Sequence, residues 1–234
     1  QSADYNVATA LTSNSYTRTG YTFAHWNTAA NDSGTSYADG ASYPFTSSAT
    51  LYAQWTINSY TITFNSNGGS AVTAITQNYN TSVSAPSAPT KANYTFDGWY
   101  SDAGLSSAVS WAYTMTASNV TFYAKWVPVN HTITFNSNGG SAVSAITQGY
   151  GTSVSEPSAP TKTGYTFGGW YSDVGLSSAV SWPYTVTASD PTFYAKWTIN
   201  SYTVTFNANG GSGSMSAQSA DYNVATALTS NSYT

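Results

Sequence analysis

The chain has 234 residues, of which 6% are charged and 16% are aromatic, and it contains no cysteine. Only five residues are Lys or Arg and the net charge is −4, which excludes the clustered basic surface that a nucleic-acid-binding protein needs. No apolar run approaches the ~20 residues of a membrane-spanning helix, so we predict no membrane span in this segment and expect any signal or wall anchor outside it. The remaining composition favours an extracellular structural protein over an enzyme.

An internal repeat organises the whole chain. The stretch FNSNGGSAV begins at Phe64 and returns at Phe135, and the related FNANGGSGS begins at Phe206, after the same interval. The closing motif, YAQW or YAKW, keeps this interval. The predicted ranges are repeat 1 at residues 1–55, which lacks a first strand, repeat 2 at 60–126, repeat 3 at 131–197, and repeat 4 at 202–234, which is only the N-terminal part of a repeat, with connectors at 56–59, 127–130 and 198–201.

The first seventeen residues, QSADYNVATALTSNSYT, are identical to residues 218–234. The displacement between the two copies corresponds to three repeats, which predicts that the chain is a segment of a longer array with a three-repeat block. We expect the partial repeats to be completed within one continuous polypeptide, because an acceptor of a donated strand would already hold one copy of the duplicated residues. Strand donation between chains is the alternative, since an exposed strand edge invites an added strand.

Repeats 2, 3 and 4 each open with a predicted β-hairpin. In repeat 2 the segment YTITFN alternates Tyr60, Ile62 and Phe64 with threonines, which is the period-two pattern of a half-buried strand. An Asn-Gly dipeptide follows, which tolerates positive φ and favours a tight turn, and a second strand is predicted over residues 74–79. The predicted hairpin-turn residues are Asn67, Gly68, Asn138, Gly139, Asn209 and Gly210.

The second half of a complete repeat is predicted to hold two further strands. Pro86 and Pro89 favour an extended crossing, and YTFDGWYS is predicted to be a strand with a bulge at Gly98. The stretch DAGLSSAVSWAYTM is expected to cover the sheet, with a short helical turn around Leu105, before the last strand, NVTFYAKW. Aromatic side chains bury ~150–250 Å² each and are predicted to dominate the core. The predicted core residues are Phe64, Phe96, Trp99, Trp111, Phe122, Trp126, Phe135, Phe167, Trp170, Trp182, Phe193 and Trp197.

The succession YTITFNSNGGSAV, PTKANYTFDGWYSD and VTFYAKW resembles the Listeria–Bacteroides repeat, the family of the B-repeats of internalin-type surface proteins. The resemblance implies a mainly β fold of small, β-grasp-like α+β units with little helix, strung in tandem on secreted or wall-attached bacterial proteins. It supplies no catalytic residues. We therefore predict an elongated, beads-on-a-string rod of tandem repeats, with a rise of roughly 30–45 Å per repeat from the size of a ~70-residue unit and its connector.

Comparison between repeats argues against a catalytic site. His25 and His131 stand where other repeats have Gly or Tyr, so neither belongs to a site that all repeats share. Asp102 and its counterpart Asp173 follow a strand, where Asp commonly caps a turn. Lys125 is predicted to lie on the face opposite Phe122, so a Lys–Asn crosslink is disfavoured. We predict no enzyme activity, no cofactor and no metal site.

The predicted function is that of a structural repeat segment of an extracellular bacterial surface stalk, fibre or filament, with a spacing or adhesive role. The alternative is an adhesin module that binds a glycan or a host protein through exposed aromatics, which requires an exposed aromatic row on each repeat. The predicted partners are neighbouring repeats of the same chain, with other copies in a filament, a glycan or a surface protein as alternatives, and no nucleic acid. The predicted location is extracellular, on the cell surface or in a secreted fibre.

Overall fold

The computed structural model of the protein describes residues Gln1–Thr234 and is all-β, with nineteen strands and no helix. Accordingly it contains no helix with the length and apolarity that a membrane crossing requires. The chain divides into two compact units, Gln1–Val127 and Pro128–Thr234. Repeats 1 and 2 lie in the first unit, and repeats 3 and 4 lie in the second.

Repeat 1 forms a small antiparallel sheet. Its strands are β1 (Thr9–Ala10), β2 (Tyr21–Asn27), β3 (Ser36–Tyr37), β4 (Ser42–Tyr43) and β5 (Tyr52–Ile57). The three-stranded sheet has the order β3-β2-β5, and β1 pairs separately with β4. The ladder between β2 and β5 begins with Tyr21 opposite Ile57. The last strand of this repeat therefore pairs along its length with the strand that carries the GYTF motif.

Repeat 2 contains a complete four-stranded sheet. Its strands are β6 (Ser59–Asn65), β7 (Ile75–Asn78), β8 (Ser82–Val83), β9 (Tyr94–Tyr100), β10 (Tyr113–Thr114) and β11 (Val120–Pro128). The sheet order is β7-β6-β11-β9, while β8 and β10 form a separate two-stranded pair. The first and last strands are parallel neighbours, with Phe64 opposite Phe122. Because the two ends of the repeat pair with each other, the repeat closes on itself.

The core of repeat 2 follows from the alternation of side chains along its two central strands. Ile62 is fully buried on β6, and Phe122 and Ala124 are buried on β11. Trp99 is 3% exposed and packs against Phe64 with ring centroids 4.7 Å apart. Burying a large apolar side chain stabilises a fold by roughly 1.5–3 kcal/mol, so this cluster is the main source of the stability of the repeat.

The second unit repeats this architecture. Its strands are β12 (Asn130–Asn136), β13 (Ile146–Gly149), β14 (Ser153–Val154), β15 (Tyr165–Tyr171), β16 (Tyr184–Thr185), β17 (Thr192–Ile199), β18 (Ser201–Val204) and β19 (Gln218–Asp221). Repeat 3 has the sheet order β13-β12-β17-β15, and β18 pairs with β19 in repeat 4. The buried core of repeat 3 consists of Ile133, Val154, Trp170, Val186, Phe193 and Ala195.

A β-bulge explains how two aromatic residues of one strand reach the same core. Phe167 and Trp170 are three positions apart, which places side chains on opposite faces of a regular strand. The pairing of β15 with β17 shifts register between these two residues, and Gly169 there has a φ of +99°. The extra residue rotates the strand, so both rings pack together with centroids 5.4 Å apart.

The structure differs from the sequence expectation around Leu105, where it has a hydrogen-bonded turn in place of a helical turn. The Leu105 amide donates to the Asp102 carbonyl at 3.1 Å, and Leu105 has a φ of +56°. A left-handed residue interrupts a right-handed helix. The units contain no helix, so the α+β, β-grasp-like description implied by the resemblance is not confirmed.

The Asn-Gly turns lie inside longer hairpin connections. In repeat 2 the antiparallel ladder between β6 and β7 ends where Ile62 pairs with Ile75. Beyond that pair β6 continues alongside β11, so the residues after the turn do not resume the ladder at once. Asn67 and Gly68 have φ values of +47° and +82°, as a tight turn of this kind requires. The tight turn therefore shapes the connection without fixing the strand register.

Candidate functional site

The turn after the first strand is held to distant parts of the same repeat by side-chain hydrogen bonds. In repeat 2 the Trp126 Nε1–H donates to the Ser66 carbonyl at 2.8 Å. The Asn67 side-chain amide donates to the Ala124 carbonyl at 2.7 Å. The Lys91 ammonium donates to the Asn67 carbonyl at 2.9 Å. We call this arrangement the turn lock, because it fastens the Ser66–Gly69 turn to the last strand and to Lys91.

The turn needs glycine at two successive positions, and the physical reason differs between them. Gly68 occupies the left-handed region, which disfavours a side chain. Gly69 lies against the Trp126 ring, and a Cβ at this position would stand 2.4 Å from the Trp126 Cζ2 atom. The NGG sequence is therefore explained by one turn requirement and one packing requirement.

Repeat 3 builds the same turn lock with its own residues. The Trp197 Nε1–H donates to the Ser137 carbonyl at 2.8 Å, and the Lys162 ammonium donates to the Asn138 carbonyl at 2.9 Å. Repeat 4 forms the turn without a tryptophan or lysine contact: the Gly211 amide donates to the Ala208 carbonyl at 2.9 Å, and Gly210 has a φ of +97°. The turn is thus encoded locally, and the Trp and Lys contacts are added in complete repeats.

The predicted core residues occupy two levels of burial. Buried residues are Phe64, Trp99, Phe122, Trp170 and Phe193. Partly buried residues that pack against these clusters are Phe96, Trp111, Trp126, Phe135, Phe167, Trp182 and Trp197. The sequence pattern predicted Trp126 and Trp197 as core residues. It did not predict the hydrogen bonds from their indoles to the turn. The recurrence of NGG, a Lys and YAKW in order was the available signal.

The paired aspartates cap turns, as the sequence analysis predicted. Asp102 accepts hydrogen bonds from the Ser106 and Ser107 amides, the latter at 2.8 Å. Asp173 does the same with the Ser177 and Ser178 amides. These donors stabilise the ionised carboxylate, so the pKa of Asp102 is lowered mainly by Ser107, and the pKa of Asp173 mainly by Ser177.

Lys125 belongs to an exposed polar cluster on the outer face of repeat 2. Its ammonium lies 3.0 Å from the Asp97 carboxylate and donates to the Tyr100 hydroxyl at 3.1 Å. The hydrogen bond to Tyr100, then that to Asp97, raises the pKa of Lys125, and the hydrogen bond from Lys125 lowers the pKa of Asp97. In repeat 3 the residue that corresponds to Asp97 is Gly168. The carboxylate is therefore a feature of one repeat, whereas the lysine–tyrosine contact recurs in repeat 3, where the Lys196 ammonium lies 4.8 Å from the centre of the Tyr171 ring.

The two histidines lie in separate, repeat-specific contacts. His25 Nε2 is 2.7 Å from Asp32, and His131 Nδ1 is 3.2 Å from Asp190. Asp190 also accepts the Thr132 amide, which is the main cause of its lowered pKa. No three His, Asp or Glu side chains gather in a group that could hold a metal ion. Neither His–Asp pair has a neighbouring nucleophile among its hydrogen-bond partners.

Exposed aromatic side chains are confined to the partial repeats. Tyr5, Tyr16, Tyr52 and Tyr202 are exposed, together with Tyr222, whereas every Trp of the chain is buried or partly buried. In repeats 2 and 3 no aromatic side chain is exposed. The exposed aromatic row that a glycan-binding module requires on each repeat is therefore not formed on the complete repeats.

These features define a tandem array of small all-β repeats, each complete one closed by its own turn lock. The chain belongs to the Listeria-Bacteroides repeat domain family, whose model matches residues 1–54, 60–125, 131–196 and 202–234. The family resemblance that the NGG, GYTF and YAKW motifs indicated is thereby confirmed.

Three relatives illustrate where such repeats occur. A protein of Evansella cellulosilytica, whose name describes a Gly-rich membrane protein, is 43% identical over 194 residues, which cover 82% of this chain and 22% of that protein. A second protein of that organism, named as a membrane protein, is 43% identical over 163 residues, which cover 70% of this chain and 24% of that protein. Internalin H of Listeria monocytogenes is 32% identical over 182 residues, which cover 71% of this chain and 32% of Internalin H. The chain thus spans between 22% and 32% of the length of these relatives.

Proposed function

We propose that this chain is part of the repeat region of a bacterial surface protein, where it acts as a non-enzymatic extracellular spacer between an anchored part and a functional head. Membership in the Listeria-Bacteroides repeat family carries the proposal, because relatives with such repeats include proteins named as membrane proteins and Internalin H. The proposed form is an elongated rod of tandem repeats, and the proposed partners are neighbouring repeats of the same chain.

The architecture of a single repeat supports a spacing role. Each complete repeat has its own aromatic core and its own turn lock, so its stability comes mainly from contacts within the repeat. The connectors are short, and in the first unit β5 ends at Ile57 while β6 begins at Ser59. A single residue outside a strand leaves little freedom for the two repeats to reorient. Reach would then increase with the number of repeats.

A deletion series in the organism that encodes the protein tests this role. Removing residues 60–130 or residues 131–201 takes out one full period of the array in each case. We expect either deletion to bring a tag on the head closer to the envelope by roughly 30–45 Å, the rise of one repeat. Antibody against the chain should label intact cells, and protease treatment of those cells should remove the label.

An unrelated rigid spacer of equal length is the control. If the spacer restores the function of the head in the deletion strain, the repeats act through length. If the head works only with the original repeats, or if intact cells are not labelled, the spacer proposal fails. The glycan-binding alternative has no supporting observation on the complete repeats, because none of their aromatic side chains is exposed.

A further inference from the structure

Two joints between successive repeats share one hydrogen-bond arrangement. In the first unit the Asn58 amide donates to the Gly20 carbonyl of repeat 1 at 2.9 Å. The Asn58 carbonyl accepts from the Tyr79 amide of repeat 2 at 2.8 Å. The connector residue therefore extends the ladder of one repeat on its N–H side and the ladder of the next on its C=O side.

The second unit has the same joint between repeats 3 and 4. The Asn200 amide donates to the Gly164 carbonyl at 2.9 Å, and the Asn200 carbonyl accepts from the Tyr222 amide at 2.8 Å. A threonine also fixes the connector side chain in each joint. Thr22 Oγ1 donates to Asn58 Oδ1 at 2.7 Å, and Thr166 Oγ1 donates to the Asn200 side-chain oxygen at 2.6 Å.

A tyrosine ring of the following repeat packs directly on the glycine of the preceding one. A Cβ on Gly20 would lie 2.1 Å from the Tyr79 Cδ1 atom, and one on Gly164 would lie 1.9 Å from the Tyr222 Cδ1 atom. Both glycines also have positive φ, +79° and +78°. No side chain fits at this position while the ring stays in place, so glycine is required for two independent reasons.

The duplicated sequence allows the exposure of the tyrosine at a joint to be compared with that of the same tyrosine without one. The sequence ADYN occurs at residues 3–6 and again at residues 220–223. Tyr222 packs on Gly164 and lies edge-on to Tyr165, with ring centroids 6.5 Å apart, and it is 36% exposed. Tyr5 has the same sequence neighbours and is 79% exposed. The lower exposure of Tyr222 therefore comes from neighbours outside its local sequence, namely Gly164 and Tyr165 of the preceding repeat and Tyr202 of its own repeat.

We propose that Gly20, Asn58 and Tyr79, and likewise Gly164, Asn200 and Tyr222, form a clasp that fixes the orientation of one repeat on the next. The surface around the glycine is the docking site, and its partner is the tyrosine of the following repeat in the same chain. The glycine decides specificity, because a repeat with a side chain at this position cannot accept the ring in this way. This inference rests on the proposed spacer function, and it assigns the stiffness of these two joints to three residues in each of them.

Distance measurements between two spin labels test the clasp. The chain has no cysteine, so Ser48→Cys in repeat 1 and Ser87→Cys in repeat 2, both at exposed positions, give two unique labelling sites in the full chain. We expect pulsed electron paramagnetic resonance to give a narrow distance distribution for the parent chain. Tyr79→Ala removes the ring without straining the backbone, and the narrow peak should be lost. Gly20→Ala should have the same effect.

Gly40→Ala is the matched control. Gly40 lies in repeat 1 with a φ of +69°, but a Cβ there would meet nothing within 4 Å, so this variant carries the backbone strain without the clash. It should keep the narrow peak. A narrow peak that persists in Tyr79→Ala, or one that Gly40→Ala destroys as completely as Gly20→Ala does, would overturn the clasp. The measurement uses the isolated chain, so its outcome is independent of whether the protein reaches the cell surface.

Discussion

Residues 1–17 and residues 218–234 have identical sequences and different secondary structure. In the first copy Thr9–Ala10 forms β1 and pairs with β4 of repeat 1, while Gln1 begins no strand. In the second copy Gln218–Asp221 forms β19 and pairs with β18 of repeat 4. Each copy is a strand only where another strand lies beside it. Strand formation here depends on the partner more than on the intrinsic preference of the residues.

The local contacts of the two copies are nevertheless the same. The Gln1 side chain donates to the Ala10 carbonyl at 2.6 Å, and the Gln218 side chain donates to the Ala227 carbonyl at 2.6 Å. Asn6 and its counterpart Asn223 both have a φ of +55°. The shape of the loop is therefore encoded within the seventeen residues, and the β-pairing is supplied from outside them.

The largest expected effect comes from removing a partner of a locally encoded turn. Trp126→Ala takes away the indole that holds the Ser66–Gly69 turn, and we expect it to lower the free energy of unfolding of repeat 2 by roughly 3–5 kcal/mol. Repeat stability is approximately local plus nearest-neighbour, so repeat 3 should remain folded. Denaturant titration, with hydrogen exchange assigned to each repeat, measures both quantities.

The turn of repeat 4 is the internal reference for that variant. It closes with the Gly211 amide on the Ala208 carbonyl and has no tryptophan. Exchange of the Gly69 amide in Trp126→Ala should approach the rate of the Gly211 amide in the parent chain. Unchanged protection of Gly69, or a single all-or-none melt of the whole chain after the substitution, would contradict the prediction.

A smaller effect is expected at the tyrosine of the duplicated segment. Tyr222→Ala removes a ring that contacts Gly164 and Tyr165, and we expect a loss of about 1 kcal/mol in the stability of the β18–β19 pair. Tyr5→Ala makes the same change in the exposed copy, and the expected effect is within about 0.5 kcal/mol of zero. Hydrogen exchange in repeats 1 and 4 gives both values. Equal losses in the two copies would show that the environment of the tyrosine is unimportant.

The duplicated glutamines should respond alike, because their contacts are local. The Thr12 amide donates to the Gln1 side chain at 2.7 Å, and the Thr229 amide donates to the Gln218 side chain at 2.9 Å. Gln1→Ala and Gln218→Ala should each cost about 0.5 kcal/mol, the low end for a hydrogen bond, since both hydrogen bonds are exposed. Exchange of the Thr12 and Thr229 amides should accelerate by similar factors. Faster amide exchange in only one of the two copies would show that the glutamine contact depends on its surroundings.

The same distinction explains how much could be predicted from the sequence. Local or periodic signals could be predicted from the sequence. They are the repeat period, the strand alternation at Ile62 and Phe64, and the positive-φ turn at Asn67. The parallel pairing of the first and last strands could not be predicted, because Phe64 and Phe122 are distant along the chain and no local pattern encodes their contact. The role of Trp126 in the turn lock depends on the same long-range pairing.

The turn around Leu105 shows a different limit. The segment between its strands has apolar residues at spacings that permit a helical turn, yet Leu105 takes a left-handed conformation. The Asp102 carboxylate accepts hydrogen bonds from the Ser106 and Ser107 amides. In a helical turn these amides would donate to backbone carbonyls instead. Side-chain capping of this kind competes with helix formation. The Asp was recognised as a turn residue, but its full consequence for the backbone was not.

The smallest expected effect is the pH dependence of this loop, which the two complete repeats build with the same local contacts. Serine amides donate to Asp102 and Asp173 and lower the pKa of both carboxyls below the ordinary value of about 3.9. A carboxyl with a lowered pKa in the folded state adds stability above its unfolded-state pKa, and that stability is lost as the pH falls through the folded-state pKa. The loops should therefore be insensitive to pH near neutrality and weaken only in acid.

Titration of the carboxyl carbon shifts by nuclear magnetic resonance measures this pH dependence in both repeats at once. The titration curves of Asp102 and Asp173 should be parallel, with both midpoints below the ordinary pKa of an aspartate. The reason is that each carboxylate accepts hydrogen bonds from the corresponding pair of serine amides in its own repeat. Asp173→Asn should remove the acid sensitivity from the Asp173 loop of repeat 3 and leave that of the Asp102 loop of repeat 2 unchanged. A midpoint at or above the ordinary value, or loops that weaken as the pH rises, would show that the serine amides do not hold the ionised carboxylate.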